Sequence, residues 1–161
     1  ALKEAGFDPI PVYREPPETM YSEPELATEY PLILTSRKPA VFRHGNLRLI
    51  ESLRARRPDP ILNIHPETAK ELGIEEGDWV YVENKRGRIS LRAEQSQSLH
   101  PRVVVADHGW WYPEKGAEEG LHGFAESCIN AITSNSPPYG REMGSATFRG
   151  TFCKVYKAGN A

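Results

Sequence analysis

The chain has 161 residues, 39% hydrophobic and 26% charged, with a formal net charge of −2. This suits one globular domain with a single core and some irregular extension. No apolar run approaches the roughly 20 residues that span a membrane, and no basic-then-apolar leader opens the chain. The start, Ala1-Leu2-Lys3, lacks a methionine and suggests a piece of a longer protein, which leaves the compartment unknown. Charge is spread unevenly. Residues 1–30 hold seven acids against Lys3 and Arg14, whereas residues 37–58 hold Arg37, Lys38, Arg43, Arg48, Arg54, Arg56 and Arg57 against Glu51 alone. A local basic cluster in a mildly acidic chain suits a small anionic ligand. It does not suit a nucleic acid, which asks for a basic face on the whole domain.

Six prolines fall within the first 31 residues, with little periodicity. Proline removes a backbone donor and biases the residue before it toward extended conformations. Residues 1–30 therefore read as an acidic, proline-rich linker lying over a surface, and a disordered tail fits the same composition. The folded domain, 31–161, opens with Pro31-Leu32-Ile33-Leu34-Thr35, an apolar run of buried-strand type. Asn46 is placed to cap a helix reaching about Arg56, on which Leu47, Ile50 and Leu53 recur, and Pro58 and Pro60 stop it. Ile61–Ile64 is a second strand. His65-Pro66-Glu67-Thr68 then puts proline at the first position of a short helix that ends at Gly73. A hairpin follows, Trp79–Glu83 and Arg88–Ala93 about a turn at Asn84-Lys85-Arg86-Gly87. Val103–Ala106 and Phe152–Tyr156 supply two more strands.

Residues 112–147 carry few strand or helix signals. A structureless stretch beyond roughly 12–15 residues usually binds something in a compact domain. Its apolar residues Leu121, Phe124, Ile129 and Ile132 are sparse, so residues 1–28 and 113–147 are the expected loose parts of the isolated domain. Short strands, small helices and non-local pairing indicate a mainly β fold, a small closed barrel of about six strands. Periodicity does not say which barrel.

Most catalytic constellations are missing. No GxSxG elbow, P-loop or HExxH occurs, and Gly87 and Gly109 stand alone, without a dinucleotide fingerprint. The five histidines are scattered, and Cys128 and Cys153 form neither a CxxC pair nor zinc-type spacing. Two free thiols, no metal ligand and no catalytic residue are the expectation. Three segments carry binding chemistry instead. Leu34-Thr35-Ser36-Arg37, followed by His44-Gly45-Asn46-Leu47-Arg48, gathers hydroxyls, guanidinium and backbone N–H groups that suit a phosphate or a pterin ring. A capped helix with a solvated basic face accounts for the same residues. In Asp107-His108-Gly109-Trp110-Trp111-Tyr112-Pro113, glycine permits close approach to a flat ring and aromatics stack on heteroaromatic ligands, although three aromatics also make a core. Asn130-Ala131-Ile132-Thr133, with Phe148-Arg149-Gly150, offers an amide with both donor and acceptor.

Taken in order, these segments resemble one family. They are joined by Ile64-His65-Pro66-Glu67-Thr68-Ala69, Leu72-Gly73-Ile74 with Gly77-Asp78, Arg86-Gly87 with Ile89, and Cys153-Lys154-Val155. The whole looks like the molybdopterin-dinucleotide-binding domain that ends the catalytic subunits of molybdenum and tungsten enzymes of the dimethyl-sulfoxide-reductase family, such as formate dehydrogenases and nitrate reductases. The likeness runs from Leu34 to Val155. Trp110 to Glu114 and Arg149 to Lys154 resemble a narrower branch, with acetylene hydratase and anaerobic dehydrogenases.

The resemblance implies a double-psi β-barrel with two or three short helices and a long irregular loop. It implies a pterin cofactor, bis-molybdopterin guanine dinucleotide with molybdenum or tungsten in the full-length parent, and none held by the isolated chain. Carried over by position, the cofactor contacts are Thr35, Ser36, Arg37, His44, Asn130 and Arg149, with Asn46, Arg48, His108, Gly109 and Trp110 in a second rank. Relatives often have glycine at the position of Ser36 and lysine at that of Arg149; arginine keeps the charge but changes the geometry. The metal ligand and any iron–sulfur cluster belong to earlier domains, so the fragment alone is expected to be inactive. Expected partners are the preceding domains of the same polypeptide and an iron–sulfur electron-transfer subunit. Two other readings compete. One is a free-standing double-psi barrel for protein interaction, and the other a self-processing decarboxylase cleaved at Gly144-Ser145.

Overall fold

A computed structural model describes residues 3–8, 10, 12–135, 146 and 149–159. Six strands form: β1 Leu32–Arg37, β2 Ile61–Ile64, β3 Trp79–Asn84, β4 Gly87–Gln95, β5 Val103–Asp107 and β6 Thr151–Lys157. They close into a barrel in the order β1-β5-β2-β4-β3-β6, the mainly β double-psi barrel that was expected. Alternation builds its wall. Val80 and Val82 of β3 stand opposite Leu91 and Ile89 of β4, and all four are fully buried, while Trp79 and Arg88 face outward. On β2 all four residues are buried, as a strand between two others inside a covered wall requires.

Two of the six pairings are parallel, β1 with β5 and β2 with β4. In the first, Ser36 pairs with Ala106 and Arg37 with Asp107, so both strands run out at the same end of the barrel. That end carries the site.

The helices are short. The third, Pro66–Glu71, follows the sequence closely. The His65 ring accepts from the Glu67 N–H at 3.2 Å, Pro66 opens the first turn, and Gly73 stops the helix at φ 66°. The Ile74 N–H then reaches back to the Ala69 carbonyl at 2.8 Å, which satisfies a terminal acceptor.

Three expectations need correction. The helix after β1 starts at Glu51, not beside Asn46, and its cap Ile50 offers no side-chain bond. Leu47 has φ 73°, a left-handed conformation that a right-handed helix cannot contain, and Asn46 instead closes a tight turn with Arg43. The N-terminal segment is anchored in its second half. A helix spans Pro24–Glu29, with Ala27 and Tyr30 packed on Phe152. Glu18 is buried and ion-paired to Lys85 and Arg86 of the hairpin turn, so its acids are used and not merely solvated.

The stretch after Tyr112 is also more ordered than its sequence suggests. It holds a helical segment at Gly120–Ser127, broken by a kink at Leu121, His122 and Gly123, which are left-handed, and a 3-10 helix at Ile129–Ile132. Ile129 and Ile132 are few but sit inside the main core, and the Asn84 amide donates to the Ile132 carbonyl at 2.7 Å. Gly144-Ser145 lies outside the described residues. Both cysteines are free and buried, and among the described residues no helix is long and apolar enough to cross a membrane.

Candidate functional site

At the shared end of β1 and β5, the carboxylate of Asp107 is fully buried. It accepts from Arg37 Nε at 3.1 Å, from Arg57 Nε and Nη2 at 3.1 and 3.0 Å, and from the Ile61 N–H at 3.2 Å. Glu94 lies alongside, 3.2 Å from Arg57, 3.6 Å from Arg37, and accepting from the Asn63 amide at 2.8 Å. Burial alone would raise the Glu94 carboxyl, but Asn63 and the two guanidinium groups hold it below its ordinary value. Two arginines thus balance two acids, and Arg37 is fixed in direction. Sequence reasoning missed Asp107, Glu94, Arg57 and Asn63 as supports. The available signal was an aspartate closing the buried run Val103–Ala106, since a buried charge demands partners.

Beyond the strand ends, the two following loops are fastened to each other. The His108 N–H donates to the Arg37 carbonyl at 3.0 Å, and Trp111 Nε1 donates to the Gly45 carbonyl at 2.7 Å. Gly109 has φ 64°, and a Cβ there would stand 3.1 Å from the Gly45 nitrogen, so only glycine lets the loops meet. Arg48 Nη2 donates to the Gly109 carbonyl at 3.0 Å, while its guanidinium lies 4.3 Å from the Phe42 ring centre and 4.1 Å from that of Trp110. Arg48 Nε and Nη1 find no acceptor among the described residues, and burial pushes its pKa down to about 10.

These fastenings bring His44 onto His108. Nδ1 of His44 is 3.1 Å from Nε2 of His108, and the rings stack with centres 5.0 Å apart at 16°. His44 is held at φ 56°, a left-handed conformation costing about 1–2 kcal/mol. The His108 imidazole is held below its ordinary value by burial first, then by His44 and Arg149, with Lys38 adding to the effect and Asp107 opposing it.

Cys128 links a third segment. The backbone N–H groups of Asn130, Trp110 and Gly109 favour its thiolate, although burial dominates and pushes its pKa up. Exposed Asn130 on the 3-10 helix is thereby set beside the Gly109 loop.

Of the sequence-derived site residues, Arg37, His44, Arg48, His108, Gly109, Trp110 and Asn130 are therefore neighbours, and Arg149 lies close enough to act on His108. Thr35 and Ser36 are half-buried on β1, paired with Val105 and Ala106. Asn46 is exposed on the turn after His44. Arg48 and Trp110 are buried and face each other, not solvent.

Imidazoles, cations and amides gathered at one barrel end, with the nearby acids already spent on arginines, define a binding domain for an anionic ligand. The chain belongs to the family described as the Molydopterin dinucleotide binding domain, whose profile matches residues 32–148. It is the domain of this kind found in dimethyl-sulfoxide-reductase-family enzymes, as the order of its motifs implied. Acetylene hydratase of Syntrophotalea acetylenica is 38% identical over 131 residues, 76% of this chain and 17% of that protein. Dopamine dehydroxylase of Eggerthella lenta is 34% identical over 152 residues, 92% of this chain and 14% of that protein. The structure of acetylene hydratase from Pelobacter acetylenicus matches 98% of this chain and 22% of its own, with TM-score 0.88 and 33% identity. The chain thus spans less than a quarter of each of these relatives.

Proposed function

We propose that this domain holds the guanine-dinucleotide part of a bis-molybdopterin guanine dinucleotide cofactor, whose molybdenum or tungsten is ligated by another domain of a larger catalytic subunit. The observation that supports this reading is the meeting of His44 with His108 next to Arg37, which brings two separate loops together at the end of β1 and β5. When bound, the cofactor supplies the metal-centred chemistry. The chain's own residues bind and orient it. Thr35 and Ser36 contribute hydroxyls at the strand end, Arg37 a guanidinium aligned by Asp107, and Asn130 an amide that can match a ring edge. Asn46 and Arg149 extend this surface, and Arg48 and Trp110 set its floor. Metal ligands and catalytic residues are assigned to the rest of the parent, an oxidoreductase or related hydratase.

On the same reading, residues 1–30 connect to a preceding domain, and that domain covers the exposed Leu47, Leu49 and Ile50 next to the site. An iron–sulfur electron-transfer subunit would dock on the parent and not on this chain. The test uses the parent enzyme. Asn130→Ala and Arg37→Ala each remove hydrogen bonds worth about 1–3 kcal/mol, so bound pterin measured after extraction should fall while circular dichroism stays native. Full pterin occupancy in both variants would sink the assignment.

A further inference from the structure

We propose that His44 and His108 form a phosphate-receiving pair that takes up about one proton when the anion binds. The proposal rests on the cofactor reading above and narrows it to one chemical group, a phosphate or pyrophosphate.

The pair is built, not accidental. Each histidine sits on a loop stitched to the other through Trp111 to Gly45 and Arg48 to Gly109, and His44 is kept in a left-handed conformation that a free loop would relax. With 3.1 Å between Nδ1 of His44 and Nε2 of His108, one nitrogen donates and the other accepts. A further proton on the accepting nitrogen would set N–H against N–H. The groups facing His108 are His44, Arg149, Lys38 and Asp107. The one acid among them is already bonded to Arg37 and Arg57 from below. Among the described residues, an excess proton therefore has cations acting on it and no acid that is not already bonded to arginine. A phosphate oxygen supplies that charge. Solvent gives up one proton, the N–H to N contact opens, and both rings direct an N–H at the anion, as charge-assisted donors do.

The probe is inorganic pyrophosphate, titrated calorimetrically into the chain near pH 7 in two buffers of different ionisation enthalpy. Imidazole 15N shifts are recorded in parallel. The expected result is uptake of about one proton per pyrophosphate, with the His44–His108 pair gaining the signature of one imidazolium and one neutral ring while His65, His100 and His122 stay put. His44→Gln and His108→Gln should each weaken binding about tenfold and abolish proton uptake. Lys38→Ala should weaken binding but leave the uptake intact. Binding without proton exchange, uptake that survives the double glutamine variant, or no binding at all would overturn the proposal. Pterin extraction from the intact parent separates the two levels. Pterin dinucleotide present with a proton-silent titration defeats the histidine pair alone; its absence defeats the cofactor reading and the pair together.

Discussion

The Arg48 guanidinium lies 4.1 Å from the centre of the Trp110 ring, with both side chains withdrawn from solvent. Among the described residues, only one of its nitrogens, Nη2, has an acceptor, the carbonyl of Gly109. Arg48 thus acts mainly as a flat spacer between Phe42 and Trp110, and its charge is a burden that the packing offsets. Arg48→Ala should cost about 2–4 kcal/mol by opening a cavity. Arg48→Met, which fills the space without a charge to desolvate, should stay within about 1 kcal/mol of wild type. Urea denaturation measures both, and an equal loss in the two variants would show that the charge itself holds the loops.

Asp107 is the other fixed point. Truncating it to alanine leaves Arg37 and Arg57 without their shared carboxylate, and losing one partner of a buried ionic network costs about 3–5 kcal/mol. A midpoint in urea close to wild type would contradict this.

Gly109 and Gly150 form a natural comparison. Both have positive φ, 64° and 74°, but among the described residues a Cβ on Gly150 meets nothing within 4 Å, whereas one on Gly109 reaches the Gly45 nitrogen at 3.1 Å. Gly150→Ala should cost only the backbone strain, about 1–2 kcal/mol. Gly109→Ala should cost more and also shift the amide resonances of both histidine loops. Identical effects from the two substitutions would refute the close-approach account.

Acid should loosen the chain in two windows. Burial works against the Glu18 carboxylate, but hydrogen bonds from Arg86 and Lys85 win and hold its pKa below the usual 4.5. Hydrogen bonds from Lys154 and Tyr156 do the same for Glu83. A carboxyl with a lowered folded pKa contributes stability that is present above its unfolded pKa and lost as pH falls through the folded one. His108, also lowered from its usual 6.5, follows the same sign at higher pH. Melting temperature should therefore decline modestly below pH 6.5 and steeply below pH 4.5. His108→Gln should remove the first decline and leave the second. A flat profile through both would contradict these shifts.

Much of the barrel was readable because strands announce themselves by alternation or by short apolar runs, as in Trp79–Asn84 and Ile61–Ile64. The Pro66 helix was readable for a different reason, since His65, Pro66 and Gly73 each act locally. The turn that displaced the Asn46 helix was not, because Gly45 and Arg48, on either side of Asn46 and Leu47, are fastened to Trp111 and Gly109, far along the chain. The same holds for Ile129 and Ile132, whose few apolar atoms order their segment only because a core lies beneath them. The candidate site residues were assigned by resemblance and chemistry, and folding brings His44, Arg48, His108, Gly109 and Trp110 together. Their supports, Asp107 with Arg57 and Glu94, come together only by folding, at separations of 50 and 37 residues from Arg57.

The buried thiols offer a simple check on the interior. Burial pushes both Cys128 and Cys153 upward from their ordinary values, so neither is a ready thiolate. Thiol reagents should leave both untouched in the native chain and modify both in denaturant. Rapid native labelling of Cys128 would mean that the Asn130 turn opens easily.

The parallel pairing of β1 with β5 also sets an order of events in time. Arg37 and Asp107 are 70 residues apart, and a parallel ladder cannot be nucleated by a tight turn. The β3–β4 hairpin, closed by a short turn, should form early, whereas the end of the barrel that carries the histidines waits for a closure across 70 residues. The histidine pair then comes into being only after local structure, in a chain whose wall is already under construction.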